Sequence, residues 1–422
     1  YGMADLFITG QFYGVDTITA VSNGSQIMHM MTVIIVGLAM GTTVTIGHSV
    51  GAKCMEQAEK IIGNTITLFM GIAVAFTVIL VVLVKPIVVL IAAPQEAVAG
   101  TSIYLLICFI GIPFITSYNI ISSIFRGLGD SESPMCFIAT ACAANIALDY
   151  LFMGVLHLGP AGAALGTTLS QAISVVVSLT VILKRRSIVL KKSDFKPCRA
   201  VMGKILGIGI PIAFQDGLIQ VAFIIITIIA NQRGLNDAAA VGIVEKVISF
   251  LFLVPSSMLS TVSALGAQNI GAGKPERAIQ TLRYAVMLAA GFGVLASIAI
   301  QFTAEGIVSL FTDPSTADGA AVVRFGGQYL RGYIFDCIFA GIHFSFSGFF
   351  CACRKSGLSF LHNILAIVLM RVPGVYVTSK LFPATLLPMG LATAAGSLLS
   401  VVICLIAFGV IRRKSTLVLV EE

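Results

Sequence analysis

Long uncharged apolar segments dominate the chain and limit the folds that it can adopt. The segment Ile61–Val84 holds 24 residues without a charge, and a helix that crosses a bilayer needs roughly 20 apolar residues. About twelve such segments follow one another along the chain, whereas the alternating pattern of an outer-membrane barrel is absent. The series therefore predicts an all-α polytopic membrane protein with about 12 transmembrane helices.

The composition excludes a water-soluble globular protein. Only 11% of the residues are charged and 57% are hydrophobic, whereas soluble domains carry about 25% charged residues. The nine cysteines have neither zinc-finger nor redox spacing, and we interpret them as packing residues that bind no metal. The net charge of +7 is explained by membrane topology, so we expect no nucleic-acid partner.

The predicted spans follow the apolar segments. They are 1–11 (incomplete), 17–49, 61–84, 98–125, 134–156, 162–183, 205–232, 238–269, 281–303, 320–350, 359–381 and 389–411. We divide the chain accordingly into an N-terminal six-helix lobe (1–183), a basic linker (184–204), a C-terminal six-helix lobe (205–412) and a tail (413–422).

Basic residues are concentrated on one side of the predicted topology. The linker Lys184–Lys204 alone holds eight of the 26 Lys and Arg residues. Because Lys and Arg gather in cytoplasmic loops, the linker and the C-terminus are predicted to be cytoplasmic. We expect a multi-pass protein of the bacterial plasma membrane. In a bacterium that has an outer membrane as well, this is the inner membrane.

An internal repeat divides the spans into two groups of six. Three pairs of segments match in order: 14–21 with 234–241, 50–58 with 270–278, and 160–166 with 388–394. Six is an even number, so both units enter the membrane from the same side and form parallel repeats, one of the plans that transporters use. The first helix of the second unit begins near Lys204. The matching position in the first unit would precede residue 1, and we therefore expect the first helix to be N-terminally truncated.

Two polar residues in the fifth span are the strongest functional candidates. Asn145 and Asp149 are four residues apart in an otherwise apolar stretch and so share one face of a helix. An acid at mid-span costs about 2.5 kcal/mol or more and is functional by default. Such a carboxyl group can exchange a proton, or its oxygens can hold Na⁺. The alternative is a purely structural role in hydrogen bonds between helices.

Several motifs resemble a known transporter family. They are "ADLFITGQFYG" (4–14), "VGAKCMEQA" (50–58), "IGAGKPERA" (270–278), "FRGLGDSESP" (125–134), "RVPGVYV" (371–377) and "LPMGLATAAG" (387–396). Together they resemble the multidrug and toxic compound extrusion (MATE) family, and in the first lobe its DNA-damage-inducible protein F-type branch. The resemblance implies a V-shaped fold of two six-helix lobes and a secondary drug exporter driven by protons or sodium.

The resemblance also implies roles for individual residues. In the DNA-damage-inducible protein F-type branch, the matching positions assign cation coupling to Asp5, Asn145 and Asp149. The other main branch uses acids of the second lobe, which makes Asp216 and Asp336 possible contacts for substrate or cation.

Without the resemblance, the sequence leaves the roles of the two second-lobe acids undecided. Asp336 is expected to pair with Arg331 or with Arg371, and an ion pair that fixes helix packing is an alternative to substrate contact. Asp216 either meets a cationic compound or lines a wet vestibule.

Function follows as an expectation. We expect a secondary active multidrug efflux antiporter that exports amphipathic or cationic small molecules, drugs or metabolites, in exchange for H⁺ or Na⁺. The alternatives are a lipid-linked precursor flippase, which would need a strongly cationic cavity where only Arg371 lies near mid-span, and a non-transporting membrane scaffold. No catalytic or ATP-binding motif is found, so we expect no enzyme and no cofactor. Membrane lipid is the expected surrounding partner, and the expected state is a monomer.

Overall fold

Helices make up every regular element in the described part of the chain. The computed structural model describes residues 2–91, 94–185, 190–312 and 314–413. The α-helices are α1 (Gly2–Phe12), α2 (Val15–Gly51), α3 (Met55–Leu90), α4 (Val98–Ile110), α5 (Ile112–Leu128), α6 (Glu132–Asp149), α7 (Pro160–Arg185), α8 (Arg199–Asn231), α9 (Leu235–Leu251), α10 (Leu253–Gly271), α11 (Pro275–Ser309), α12 (Ala317–Tyr333), α13 (Phe335–Ala352), α14 (Ser356–Ala366), α15 (Val372–Leu381) and α16 (Leu387–Arg413). Two π-helices, Tyr150–Val155 and Ile367–Arg371, and a 3₁₀ helix, Lys192–Phe195, complete the set.

The helices confirm the predicted class of polytopic α-helical membrane protein. Among the described residues, ten helical segments are long and apolar enough to cross a bilayer, and α4 with α5, bent by 51°, makes an eleventh. α1 has 11 residues and rises only about 16 Å, about half of the hydrocarbon thickness. The count of twelve spans therefore stays a prediction.

The chain forms two compact units, Tyr1–Gly209 and Ile210–Glu422. In the first unit, α2 packs on α4 and α5, and α6 packs on α7. In the second unit, α13 packs on α10, α11 and α16. Each unit has its own apolar core, which in the first surrounds Tyr104 and Phe109 and in the second surrounds Tyr329 and Tyr333.

A tight turn explains the "FRGLGDSESP" motif. Gly129 ends α5 in the left-handed region at φ 91°, which a residue with a side chain rarely adopts. The next residue, Asp130, accepts hydrogen bonds from the backbone N–H and the hydroxyl of Ser133 at 3.0 and 2.6 Å. The two residues together stop one helix and start the next within a few positions.

The basic linker is attached to the first unit near its end. The Asn64 side chain donates to the Asp194 carbonyl at 3.0 Å and accepts from the Cys198 N–H at 2.7 Å. The Thr67 hydroxyl donates to the Phe195 carbonyl at 2.9 Å. These bonds hold the 3₁₀ helix against α3, whereas linker residues 186–189 lie outside the described residues.

Glycines allow α2 and α8 to approach closely within the first unit. A Cβ atom at Gly41 would overlap the carbonyl oxygen of Ile205, and one at Gly209 would overlap the carbonyl oxygen of Leu38. Backbone atoms cannot move aside as a flexible side chain can, so both positions require glycine. This contact fixes the start of α8, up to Gly209, on α2.

We expect Gly41→Ala to destabilise the protein, because the added methyl group forces the two backbones apart at a cost of about 1–3 kcal/mol. The matched control is Gly71→Ala in α3, where nothing lies within 4 Å of the added carbon and alanine improves helix propensity. Thermal unfolding followed by circular dichroism should show a lower midpoint for Gly41→Ala alone. Equal midpoints for both variants would show that the close approach does not contribute to stability.

Candidate functional site

The three predicted cation-coupling residues lie together in the first unit. Asp5 on α1 is 1% exposed, and Asn145 and Asp149 on α6 are fully buried. The Asn145 amide donates to Asp149 Oδ2 at 3.3 Å. Asp5 accepts a hydrogen bond from Thr167 of α7, and Asp149 Oδ1 packs against the preceding residue of that helix, Gly166. The structure therefore places two acids and one amide around a single point.

Tyr13 holds the end of α1 beside the π-helix that follows Asp149. Its hydroxyl donates to the Met153 carbonyl at 3.1 Å and accepts from the Gly159 N–H at 2.9 Å. A π-helix leaves backbone groups without their regular α-helical partners, and the tyrosine supplies one of them here. The position of Asp5 is thereby coupled to the local backbone of the fifth span.

The start of α7 is shaped around the Asp149 carboxyl group. A Cβ atom at Gly166 would overlap Asp149 Oδ1, so any larger residue where α7 passes the acid would displace the carboxyl group. The π-helix begins at the next residue, Tyr150, and π-helices within α-helices are frequent at functional sites. The π-helix widens the fifth span, and the sixth span has no side chain at Gly166. Together these two features make room for the Asp149 carboxyl group.

Thr167 is a site residue that the sequence analysis missed. Its hydroxyl donates to Asp5 Oδ2 at 3.1 Å. A signal was available, because polar residues recur at helical spacing along this apolar span, and four of them are buried. They are Thr167, Ser170, Gln171, Ser174 and Ser178, of which the last four are buried. Such a polar row in a membrane span indicates a face turned toward other polar groups.

Three buried oxygens at this site have no hydrogen-bond donor within the described part of the chain. They are Asp5 Oδ1, Asn145 Oδ1 and Asp149 Oδ1, one from each predicted residue. No described Lys or Arg forms an ion pair with either acid. Oxygens without donors in a closed site are suited to a proton or to a hard cation such as Na⁺.

The acids of the second unit have different surroundings. Asp336 is fully buried, and its Oδ2 accepts from Arg371 Nη2 at 2.8 Å. The same nitrogen donates to the Tyr333 hydroxyl at 3.1 Å. Arg331 instead pairs with Glu305 at 3.0 Å. Of the two partners considered for Asp336, the structure therefore selects Arg371.

Asp216 is not part of an ion pair among the described residues. Its Oδ1 accepts from the amide of the neighbouring Gln215 at 3.4 Å. The Gln215 oxygen in turn accepts from the Ser359 hydroxyl at 2.6 Å. The contact of Asp216 with substrate or cation stays a prediction.

Comparisons with known proteins agree with one another. Residues 1–151 and 211–377 match the MatE family. A probable multidrug resistance protein of Bacillus subtilis, YpnP, is 27% identical over 387 residues, which cover 92% of this chain and 85% of that protein. A FAD transporter of Shewanella oneidensis is 24% identical over 88% of this chain and 82% of its own length.

A solved structure has the same fold. The outward-facing conformation of a multidrug resistance MATE family transporter of the MOP superfamily superposes with a TM-score of 0.90 at 20% identity, covering 98% of this chain and 91% of that one. The family resemblance read from the motifs is thus confirmed, while assignment to the DNA-damage-inducible protein F-type branch stays a prediction. The matched residues span most of both units, and the chain belongs to the MatE family of membrane transporters, which are not enzymes.

Proposed function

We propose that this transporter is a secondary active multidrug efflux antiporter. It exports amphipathic, often cationic, small molecules in exchange for H⁺ or Na⁺, and the cation binds at Asp5, Asn145 and Asp149. Relatives named as probable multidrug resistance proteins and as a multidrug export protein support export of small molecules. The coupling ion is left as H⁺ or Na⁺, because oxygen atoms accept both.

The observation that carries this proposal is the set of three buried oxygens without donors. A buried acceptor that lacks a partner costs about 1–3 kcal/mol, and two neighbouring carboxylates repel each other as well. A proton or Na⁺ relieves both penalties at once. The site therefore gains stability when it is loaded, as a coupling site requires.

Loading can act on the rest of the unit through two bonds. Thr167 joins Asp5 to α7, and Tyr13 joins the end of α1 to the π-helix. In the proposed cycle, a cation enters from outside, neutralises the acids and shifts α1 against α6 and α7. The shift weakens the hold on the exported compound, which leaves before the cation is released to the cytoplasm.

An ion gradient supplies enough energy for this exchange. One charge moved through 100 mV yields about 2.3 kcal/mol, and each pH unit yields about 1.4 kcal/mol for a proton. A single proton driven by both 100 mV and one pH unit can therefore sustain a concentration ratio of roughly several hundred for a neutral compound.

Asp149→Asn should lower gradient-driven efflux at least about tenfold, because the amide cannot take up a proton or balance a cation. The measurement is ethidium transport in proteoliposomes under a pH gradient and, separately, a Na⁺ gradient. Asp16→Asn, which changes an exposed acid of the same unit, is the control and should transport normally. Unchanged efflux in Asp149→Asn at normal protein levels would refute coupling at this residue.

Thr167→Val should also weaken coupling, by about five- to tenfold, because it keeps the volume of the side chain but removes the donor to Asp5. Thr167→Ser retains the hydroxyl and should stay within about twofold of the original protein. The same proteoliposome assay compares the two variants. If valine and serine give the same rate, the hydrogen bond to Asp5 does not matter for transport.

We also propose that the basic linker and the C-terminus face the cytoplasm and that the protein works as a monomer. The exposed Cys54 would then lie on the cytoplasmic side, and the exposed Glu96 on the opposite side. The six-helix lobes 1–183 and 205–412 remain the proposed functional halves.

Labelling with a membrane-impermeant maleimide tests this orientation. In a background with Cys136→Ser and Cys198→Ser, which removes an exposed and a partly exposed cysteine, intact cells should leave Cys54 unlabelled until the membrane is permeabilised. Adding Cys54→Ser should then remove the signal that appears. In the Cys54→Ser background, Glu96→Cys should react in intact cells. The reverse pattern would invert the proposed topology.

A further inference from the structure

Glu245 is an acid of the second unit that the proposed coupling site does not use. It lies about 15 Å along α9 from Leu235, the residue at which that helix begins. α9 and α10 together form one candidate membrane span, Leu235–Gly271. An acid inside a span is costly and is functional by default, so the surroundings of Glu245 need an explanation.

No ion pair neutralises Glu245 within the described part of the chain. The next residue, Lys246, is exposed, and residues one position apart on a helix do not face each other. The base of this core, Arg371, is bound to Asp336 at 2.8 Å instead. Glu245 therefore has no basic partner of its own.

The carboxyl group of Glu245 instead meets the hydroxyl of Thr227 on α8. Thr227 Oγ1 lies 3.4 Å from Glu245 Oε1 and 3.3 Å from Oε2. A hydroxyl group has a single hydrogen atom to donate, and the shorter contact of Thr227 Oγ1 is with the Phe223 carbonyl at 3.0 Å. When the hydrogen is directed to that carbonyl, the lone pairs of Thr227 Oγ1 face the carboxyl group.

This geometry favours the protonated form of the acid. An ionised carboxylate has only acceptors, so it would face the Thr227 oxygen with no hydrogen atom between them. A protonated carboxyl group has an O–H group that can donate to Thr227 Oγ1. One added proton thus turns an unfavourable contact between two acceptors into a hydrogen bond.

The charges of the second-unit core favour the same form. α12 packs on α9, and its Tyr329 and Tyr333 belong to the apolar core that α9 also lines. Tyr333 accepts a hydrogen bond from Arg371, which is paired with Asp336. If Glu245 and Asp336 were both ionised, one arginine would face two negative charges. With Glu245 protonated, the group is neutral.

The other charges of the helices packed on α9 do not change this balance. Glu305 of α11 pairs with Arg331 of α12 at 3.0 Å. Asp318 and Arg324 of α12 are exposed, and α10 carries no charged residue. These groups either neutralise each other or lie in contact with the surroundings of the protein.

The surroundings of Glu245 suit a proton better than Na⁺. A hard cation such as Na⁺ is held by several oxygen ligands, whereas Thr227 supplies the one side-chain oxygen bound to this carboxyl group among the described residues. Glu245 is also partly exposed, so a proton can reach it without unfolding of the core.

We propose that Glu245 is a second exchange site of this transporter, that it takes a proton, and that Thr227 accepts the hydrogen bond of the protonated acid. This inference rests on the proposed antiport function, to which it adds one proton for each exported compound. In the proposed topology, α8 leads from the cytoplasmic linker to the outer side, where α9 begins. The carboxylate therefore takes up the proton from outside and returns it to the cytoplasm.

Infrared difference spectroscopy of the full chain in lipid nanodiscs tests the protonated form directly. Near neutral pH, the original protein should show a carbonyl band of a protonated carboxyl group that Glu245→Gln lacks, and raising the pH should remove this band reversibly. Glu276→Gln, which changes an exposed acid of α11, should retain it. Loss of carboxylate bands in Glu245→Gln, or a band that high pH does not remove, would overturn the proposal.

Matched variants of Thr227 test the hydrogen bond. Thr227→Val nearly keeps the volume but removes the acceptor, so the carbonyl band should move to higher wavenumber, as expected for a carboxyl group that has lost its hydrogen bond. Thr227→Ser keeps the hydroxyl and should leave the band in place. The same band position in both variants would show that Thr227 does not accept the proton of Glu245.

Transport measures whether the proton is exchanged. In proteoliposomes held at zero membrane potential, the steady ethidium concentration ratio should fall about tenfold per pH unit in Glu245→Gln, because each exchanged proton contributes that factor. The Glu276→Gln control should keep the original ratio. An unchanged ratio in Glu245→Gln would overturn the proposal. If that variant transports nothing, the reversible loss of the infrared band in the original protein decides.

The spectra need no ion gradient, which separates this inference from the proposed function. If efflux in Asp149→Asn is normal while Glu245→Gln loses the band and lowers the ratio, coupling at Asp149 fails and the Glu245 site stands. If Asp149→Asn loses efflux while Glu245→Gln keeps the original ratio, the Glu245 site fails and the antiport proposal stands.

Discussion

The structure depends on one constraint, which is that a polar atom inside a bilayer has no water to bind. Hydrogen bonds within the chain must therefore satisfy almost every buried donor and acceptor. Many polar side chains of the described helices do so by bonding back to a carbonyl one turn earlier, as Thr45 and Ser345 do. Buried polar atoms that lack a partner are consequently informative, because each one marks either a structural cost or a place that a ligand completes.

Two such places have opposite chemistry. At the first, Asp5, Asn145 and Asp149 leave acceptors unfilled, which favours a cation. At the second, Arg371 Nε, which can only donate, has no acceptor among the described residues, beside a cavity whose lining mixes aromatic, aliphatic and polar side chains. The acid of the second place is already bound to its arginine, and this argues for a packing role of Asp336 over cation exchange.

The two units place these groups with the same local device. In the first, a π-helix follows Asp149 and a glycine of the next span, Gly166, faces the acid. In the second, a π-helix ends at Arg371 and Gly396 of the next span faces that residue. Both π-helices lie in the fifth span of their repeat as the sequence defines it. A duplicated scaffold thus presents an acid in one unit and a base in the other.

Much of the fold was predictable because segments that cross a membrane are recognisable from their hydropathy. The span predicted at 61–84 lies within α3, and that predicted at 281–303 lies within α11. The span predicted at 98–125 was less well described, because the bend between α4 and α5 at Gly111 depends on packing that no single segment encodes. Start positions also moved, since α8 begins at Arg199, where polar residues continue the helix beyond the apolar stretch.

The candidate site was predictable only in part, for a physical reason. Asp149 and Asn145 stood out because acids and amides are costly in a membrane span, and their spacing along one helix gave their shared face. Thr167 gave only the weaker signal of a polar row along its span, and Gly166 gave none, since threonine and glycine are common in membrane helices and their role lies in contacts across helices. The π-helix after Asp149 likewise depends on neighbours such as Tyr13, whose hydroxyl reaches the Met153 carbonyl. The free-energy cost of a polar residue within one membrane helix can be inferred from the sequence. The contacts by which neighbouring helices accommodate that residue are visible only in the structure. The same reasoning explains why Arg371 could be recognised as a mid-span base but its free Nε could not.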